Sequence, residues 1–201
     1  MNKILFLLSL LLLSVSSYCQ TADEYFNSGN AKYNIKDYSG AIIDYSIAIS
    51  YNPKDAKAYL YRGVCKDYTD DLSGAISDYN KAIELNPKNE SVYEYRGLVK
   101  GKLKDYRGAI MDYTKAIELN PKYEVAYYFR GICKQMLEDH RGAIIDFTKA
   151  IELNPKNSSY YINRGLSKVH TDKNSGCLDF SKAGELGEKE AYDFIEKFCQ
   201  N

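Results

Sequence analysis

Aromatic, small apolar and charged positions follow one another in a fixed order from Tyr93 to Pro121, YEYRGLVKGKLKDYRGAIMDYTKAIELNP. The order returns one period earlier, from Tyr59 to Pro87, as YLYRGVCKDYTDDLSGAISDYNKAIELNP. It returns one period later, from Tyr127 to Pro155, as YYFRGICKQMLEDHRGAIIDFTKAIELNP. Pro53, Pro87, Pro121 and Pro155 stand at the same spacing and are the chain's four prolines. A fixed period of this length predicts a solenoid, in which each repeat is one supersecondary unit stacked on the next.

Each period reads as two helices. The first, for example Glu90 to Leu103, closes in a short turn around Lys104 and Asp105. The second, Tyr106 to Leu119, ends at Asn120 and Pro121. Asn tolerates the left-handed conformation that closes a helix, and Pro cannot continue one. The repeats run near 22–55, 56–89, 90–123, 124–157 and 158–187. No Gly/Ser linker separates them, so one continuous array over 22–187 is expected. Its fifth member is imperfect: the turn at Thr171–Ser175 is one residue short, and Gly176-Cys177 replaces Gly-Ala-Ile. A capping helix, about Lys189 to Cys199, and a short tail occupy 188–201. Ala191, Tyr192, Phe194, Ile195 and Phe198 are its expected apolar face. Terminal repeats deviate because they cover an otherwise open core.

Gly29, Gly63, Gly97, Gly131 and Gly165 recur inside the first helices. A glycine there costs about 1 kcal/mol against alanine. Five of them at one period imply very close helix packing. Ala41, Ala75, Ala109 and Ala143, then Ala48, Ala82, Ala116 and Ala150, slim the second helix in the same way. Tyr25, Tyr59, Tyr93, Tyr127 and Tyr161 stand four positions before each glycine. Tyr45, Tyr79, Tyr113 and Phe147 fill the matching slot of the second helix.

On these residues the chain resembles the tetratricopeptide repeat proteins over essentially all of Ala22–Glu190. The aromatic is Tyr93, the glycine Gly97, and the later positions are Ala109, Tyr113, Ala116 and Pro121. The resemblance implies an all-α, right-handed α-solenoid of about five helix-turn-helix repeats plus the C-terminal cap. The chain departs from the family pattern with Arg62, Arg96, Arg130 and Arg164 where Leu is usual. Lys66, Lys100, Lys134 and Lys168 stand where Tyr is usual. Asp44, Asp78, Asp112, Asp146 and Asp179 precede the second-helix aromatics. A ladder of bidentate Arg–carboxylate pairs accounts for the arginines. The tail GCLDFSKAGELGEKEAYDFIEKFC resembles those of exported proteins of Bacteroidetes-type bacteria.

The first nineteen residues differ in kind. Lys3, the run Ile4–Leu13 broken only by Ser9, and the small residues before Cys19 form a secretory signal. The run is shorter than the roughly 20 apolar residues of a membrane span. Cleavage after Cys19 leaves Gln20 first; the alternative is lipidation of Cys19, against which the bulky Tyr18 argues. The mature chain is thus expected in the periplasm or outside the cell, with no membrane span.

Lys+Arg and Asp+Glu are both 27, which gives no basic excess for nucleic acid. Cys65 and Cys133 share a repeat position two repeats, or about 20 Å, apart and read as small buried residues. In an exported chain Cys177 and Cys199 can form a disulfide across the cap, although packing alone could hold it. His140 and His170 fall in or beside turns, without a metal-ligand cluster, so no metal or other cofactor is expected. A Cys133–His170 pair lacks a third residue and an oxyanion-forming loop, so no catalytic set is assigned.

The resemblance places first-helix residues on a concave groove. Tyr61, Tyr95 and Phe129 form an aromatic stripe there, with Tyr68, Leu98, Tyr128 and Ile132 beside it. Family members that grip a chaperone's terminal carboxylate use Lys, Asn and Arg at Phe26, Asn30, Tyr61, Ser91 and Tyr95, of which only Asn30 fits. The function expected is a non-enzymatic scaffold holding a protein or peptide partner in the groove. The alternative is a self-associating structural or assembly factor of the cell envelope.

Overall fold

The computed structural model describes residues 21–200. The signal segment read over 1–19, and Cys19 with it, lies outside them. Helix α1 occupies 21–34. It is followed by α2 (Tyr38–Tyr51), α3 (Ala56–Tyr68), α4 (Leu72–Leu85), α5 (Glu90–Lys102) and α6 (Tyr106–Leu119). Then come α7 (Glu124–Met136), α8 (His140–Leu153), α9 (Ser158–Lys168), α10 (Lys173–Glu185) and α11 (Glu190–Cys199). The fold is all-α, a solenoid-class series of helix-turn-helix repeats, with no strand among the described residues. The chain divides into two compact units within α5, one reaching to Tyr95 and one starting at Arg96.

Each turn inside a repeat is built the same way. One non-glycine residue takes a left-handed φ: Lys36 (63°), Asp70 (64°), Lys104 (61°) and Glu138 (62°). The aspartate that follows caps the second helix. Asp37, Asp71, Asp105 and Asp139 accept from the backbone N–H of Gly40, Gly74, Gly108 and Gly142, each at 2.9 Å. Such a cap contributes about 1 kcal/mol per helix. Repeat five lacks the left-handed residue, and Asp172 caps through Ser175 at 3.3 Å.

The helix ends before proline depart from expectation. Asn52, Asn86, Asn120 and Asn154 are not left-handed; their φ values are −130°, −141°, −136° and −140°. A following proline clashes with helical conformations and drives the preceding residue to extended geometry. Asn serves here through its side chain. Each Oδ1 accepts from the backbone N–H two residues on, at Lys54, Lys88, Lys122 and Lys156. These are Asx turns, which open the path to the next first helix.

Between paired helices the aromatic of the second sits on the glycine of the first. A Cβ at Gly63 would lie 2.7 Å from Tyr79 Cε1, and one at Gly131 would lie 2.7 Å from Phe147 Cε1. The aspartate before that ring is buried in every repeat. Arg62 holds Asp78 through Nε at 2.9 Å and Nη2 at 2.6 Å, and Arg130 holds Asp146 at 2.9 and 2.7 Å. Arg96–Asp112 and Arg164–Asp179 have the same bidentate form. The lysines add a second cation: Lys66–Asp78 at 2.8 Å, Lys100–Asp112 and Lys134–Asp146 both at 2.7 Å, and Lys168–Asp179 at 3.0 Å. The two departures from the family pattern therefore serve one carboxylate. The remaining guanidinium nitrogen ties neighbouring repeats, donating from Arg62 to Ser46, from Arg130 to Thr114 and from Arg164 to Thr148. In repeat one Ser28 and Lys32 take the place of the Arg–Lys pair around Asp44.

The C-terminal cap packs Phe194 and Phe198 on Phe180, with centroids 5.3 and 6.2 Å apart. Ala191 is buried. Tyr192, expected on the apolar face, is instead 61% exposed. Residues 191, 194, 195 and 198 complete a helical stripe, and position 192 falls at its edge beside Gly184. Gly187, with φ 94°, closes α10 as Glu188 N–H donates to Ala183 O. Cys177 and Cys199 are joined by a disulfide, Cα to Cα 5.8 Å.

Candidate functional site

The aromatic stripe is partly a packing device. Tyr61 lies over Tyr45 with centroids 6.2 Å apart, and Tyr95 over Tyr79 at 6.2 Å, both in the first unit. Phe129 lies over Tyr113 at 6.0 Å in the second. Each stripe ring thus rests on the buried ring of the repeat before it. Tyr61 keeps 37% of its surface exposed and Tyr68 59%, whereas Tyr95 and Phe129 are half-buried. Leu98, Tyr128 and Ile132 are also half-buried, and Val64 of the same row is buried. Tyr128 packs against Phe129 and Tyr160, and its hydroxyl accepts from Asn163 Nδ2 at 3.2 Å.

In the first unit these rings border a cavity of about 640 Å³. Phe26, Asn30, Tyr33 and Asn34 of α1, Lys57, Leu60 and Tyr61 of α3, and Asn89, Ser91 and Tyr95 line it. Phe26 meets Tyr61 edge-on at 5.9 Å, and Tyr33 lies 6.5 Å from Tyr61 and 6.3 Å from Tyr68. Burial pushes the Tyr33 hydroxyl up to about 12, and the Tyr68 hydroxyl beside it adds to the rise. Tyr33 therefore stays a neutral donor and acceptor. Local bonds orient two of the amides. Asn30 Oδ1 accepts from Tyr45 Oη at 2.8 Å, and Asn89 Oδ1 accepts from Ser91 N–H at 3.2 Å. Their NH2 groups are left to donate elsewhere. Lys57 is the one charged residue of the lining.

Sequence reasoning missed Tyr33, Asn34, Lys57 and Asn89. Their signal is a break in the repeat. Asn30 stands where the later repeats have Val64, Leu98, Ile132 and Leu166, and Asn34 stands where they have Tyr68, Lys102, Met136 and His170. Asn30 also supports the core, because Val64 offers Tyr79 no such partner and the buried Tyr79 hydroxyl is left unpaired. At the matching position Phe147 dispenses with the hydroxyl.

The remaining reactive groups do not assemble. Cys65 and Cys133 are buried free thiols, and burial pushes them up to about 12 and about 11. Thiols held protonated in this way are poor nucleophiles. His170 lies against His140, ring centroids 4.2 Å apart and nearly parallel, in the register that Tyr38 and Tyr68 fill at 4.4 Å. Among the described residues no three His, Cys, Asp or Glu side chains gather to hold a metal. No helix among them is long and apolar enough to cross a membrane.

Family models described as tetratricopeptide repeat match residues 56–89, 91–123 and 125–157. Among solved structures the chain is similar to MamA, with 26% identity, a TM-score of 0.78 and coverage of 86% of this chain and 95% of that one. It is similar to YrrB, a TPR protein with an unusual peptide-binding site, at 19% identity and TM-score 0.77, covering 92% and 97%. It is also similar to PilF of Pseudomonas aeruginosa at 17% identity and TM-score 0.75, covering 86% and 79%. The last two likenesses show the fold alone. A search of curated protein sequences returns no match.

Proposed function

Starting from a chain built of tetratricopeptide repeats, we propose a non-catalytic scaffold that holds a polypeptide partner on its first-helix face. The cavity of the first unit carries this reading. It joins open tyrosine faces, which suit apolar side chains, to oriented amide donors, which suit the carbonyls of an extended backbone. Tyr61, Tyr68 and Tyr95 are its contact residues in the first unit; Phe129, Tyr128, Leu98 and Ile132 are those of the second. Alanine at Tyr61, Tyr95 and Phe129 together is expected to abolish crosslinking to the partner, read by mass spectrometry of the native fraction, while circular dichroism stays native. Unchanged crosslinks from a folded variant would remove the groove reading.

The chain works outside the cytoplasm, with residues 1–19 removed as a signal. The Cys177–Cys199 disulfide supports this, because such bonds persist in oxidising compartments. N-terminal sequencing of the natural protein is expected to start at Gln20. A start at Met1 would overturn export by cleavage, and a lipid-modified Cys19 would replace the soluble form with an anchored one.

A further inference from the structure

The second unit carries two exposed surfaces of opposite character. Met111, Ile145 and Leu178 hold one repeat position on α6, α8 and α10, each just before the buried aspartate. They are 72%, 69% and 73% exposed. Exposed apolar side chains in register on parallel elements are the mark of an interaction surface. One turn before Met111 and Ile145 stand Arg107 and Arg141, exposed and without an ion pair among the described residues. One turn after each apolar residue a lysine is paired within its own helix: Lys115 with Glu118, Lys149 with Glu152 and Lys182 with Glu185. The charge left over on this face is therefore that of the arginines. Beside Ile145 a cleft of about 440 Å³ opens between α7 and α8, with Tyr127 and Ile144 in its lining.

The second surface is the exposed edge of α11, where Tyr192 lies over Gly184 of α10 with 61% of its surface open. The exposed carboxylates Asp193 and Glu196 stand one and four positions after it on α11. Lys197 lies over the Phe198 ring at 5.1 Å, which leaves Lys189 as the one other cation of this side. An exposed aromatic beside two carboxylates complements an apolar row flanked by arginines.

We propose that α11 of one copy docks on the α6–α8 face of a second copy, with Tyr192 entering at Ile145 and the carboxylates of α11 meeting Arg107 and Arg141. The two surfaces differ and lie on the same chain, so the contact is head-to-tail and propagates from copy to copy. The exposed ring of Tyr192 with Asp193 and Glu196 on α11 offers this face a complementary occupant within the same chain. The first-helix face takes no part, so groove binding and self-association succeed or fail separately.

Sedimentation velocity of the mature chain over a concentration series tests the contact. The weight-average mass is expected to rise with concentration and to fall with added salt. The pair R107E/R141E, and separately D193K/E196K, should each weaken association by at least about tenfold, as loss of central charge pairs does. Mixing the two variants should restore it, because each then meets the other's reversed surface. Y192S should also weaken it. Far-UV circular dichroism confirms that the variants fold. A wild-type chain that stays monomeric at every concentration overturns the proposal. So does association indifferent to these substitutions, a mixture that fails to recover, or cosedimentation with phosphatidylglycerol vesicles in place of self-association.

Discussion

Asp146→Asn is expected to lower the stability of the second unit by about 3–5 kcal/mol, the usual cost of removing one partner from a buried ion pair. Asp146 is 1% exposed and neutralises two cations, Arg130 through two hydrogen bonds and Lys134 at 2.7 Å. Asparagine keeps the shape and loses the charge, so both cations stay in the interface without an anion. Arg130 also donates to Thr114 of the preceding repeat, and its displacement loosens the contact between the two repeats. Asp44→Asn should cost less, about 1–2 kcal/mol, because this buried carboxylate faces one cation that reaches water in place of two that do not. Its cation, Lys32, is 36% exposed and can turn to water, and Ser28 remains as a neutral donor. Urea is the denaturant to use, since guanidinium chloride screens charge pairs as it unfolds. Equal losses at the two sites would show that the bidentate arginine adds nothing to the ladder.

The ladder was legible because arginine and aspartate share one period, and a buried guanidinium needs a carboxylate. The lysine was harder to place. In the sequence it stands out only as a departure from a family pattern, although position i+4 from the arginine puts both cations on one helix face. The closing asparagines show the opposite failure. Asparagine's local propensity for the left-handed region yields to the proline that follows, and the left-handed residues stand in the other turn, at lysine, aspartate and glutamate. For the candidate site, the stripe positions were readable from periodicity. Their division into exposed and stacked rings was not, because it depends on the preceding repeat's aromatic. The cavity of the first unit lies beyond any periodic reading, since it exists where α1 abandons the repeat at Asn30 and Asn34. Tyr192 was misplaced because five apolar residues over one short helix cannot all face the core, and only the packing of Phe180 decides which one is left outside.

Gly165→Ala should be the most damaging of the substitutions at the recurring first-helix glycines, with a net loss of about 2–3 kcal/mol, at the upper end for overpacking a tight core. Its Cβ would stand 2.6 Å from Phe180 Cε1 and 3.1 Å from the backbone oxygen of Gly176. The ring is held on its other side by Phe194 and Phe198, and the carbonyl belongs to the opposing helix, so neither can retreat. Gly131→Ala meets only a ring, Phe147 at 2.7 Å, and Gly97→Ala meets Tyr113 at 3.0 Å, so the losses should fall in that order. Gly101→Ala faces nothing within 4 Å and should instead stabilise by about 0.5–1 kcal/mol through helix propensity alone. The same chemical change therefore takes opposite signs four residues apart on α5. Equilibrium urea unfolding of the four variants reads the order directly. A stabilising Gly165→Ala would mean that the two helices of repeat five can separate at little cost. In that case the cap formed by α11 and the Cys177–Cys199 disulfide, rather than ring-on-glycine packing, holds the end of the chain together.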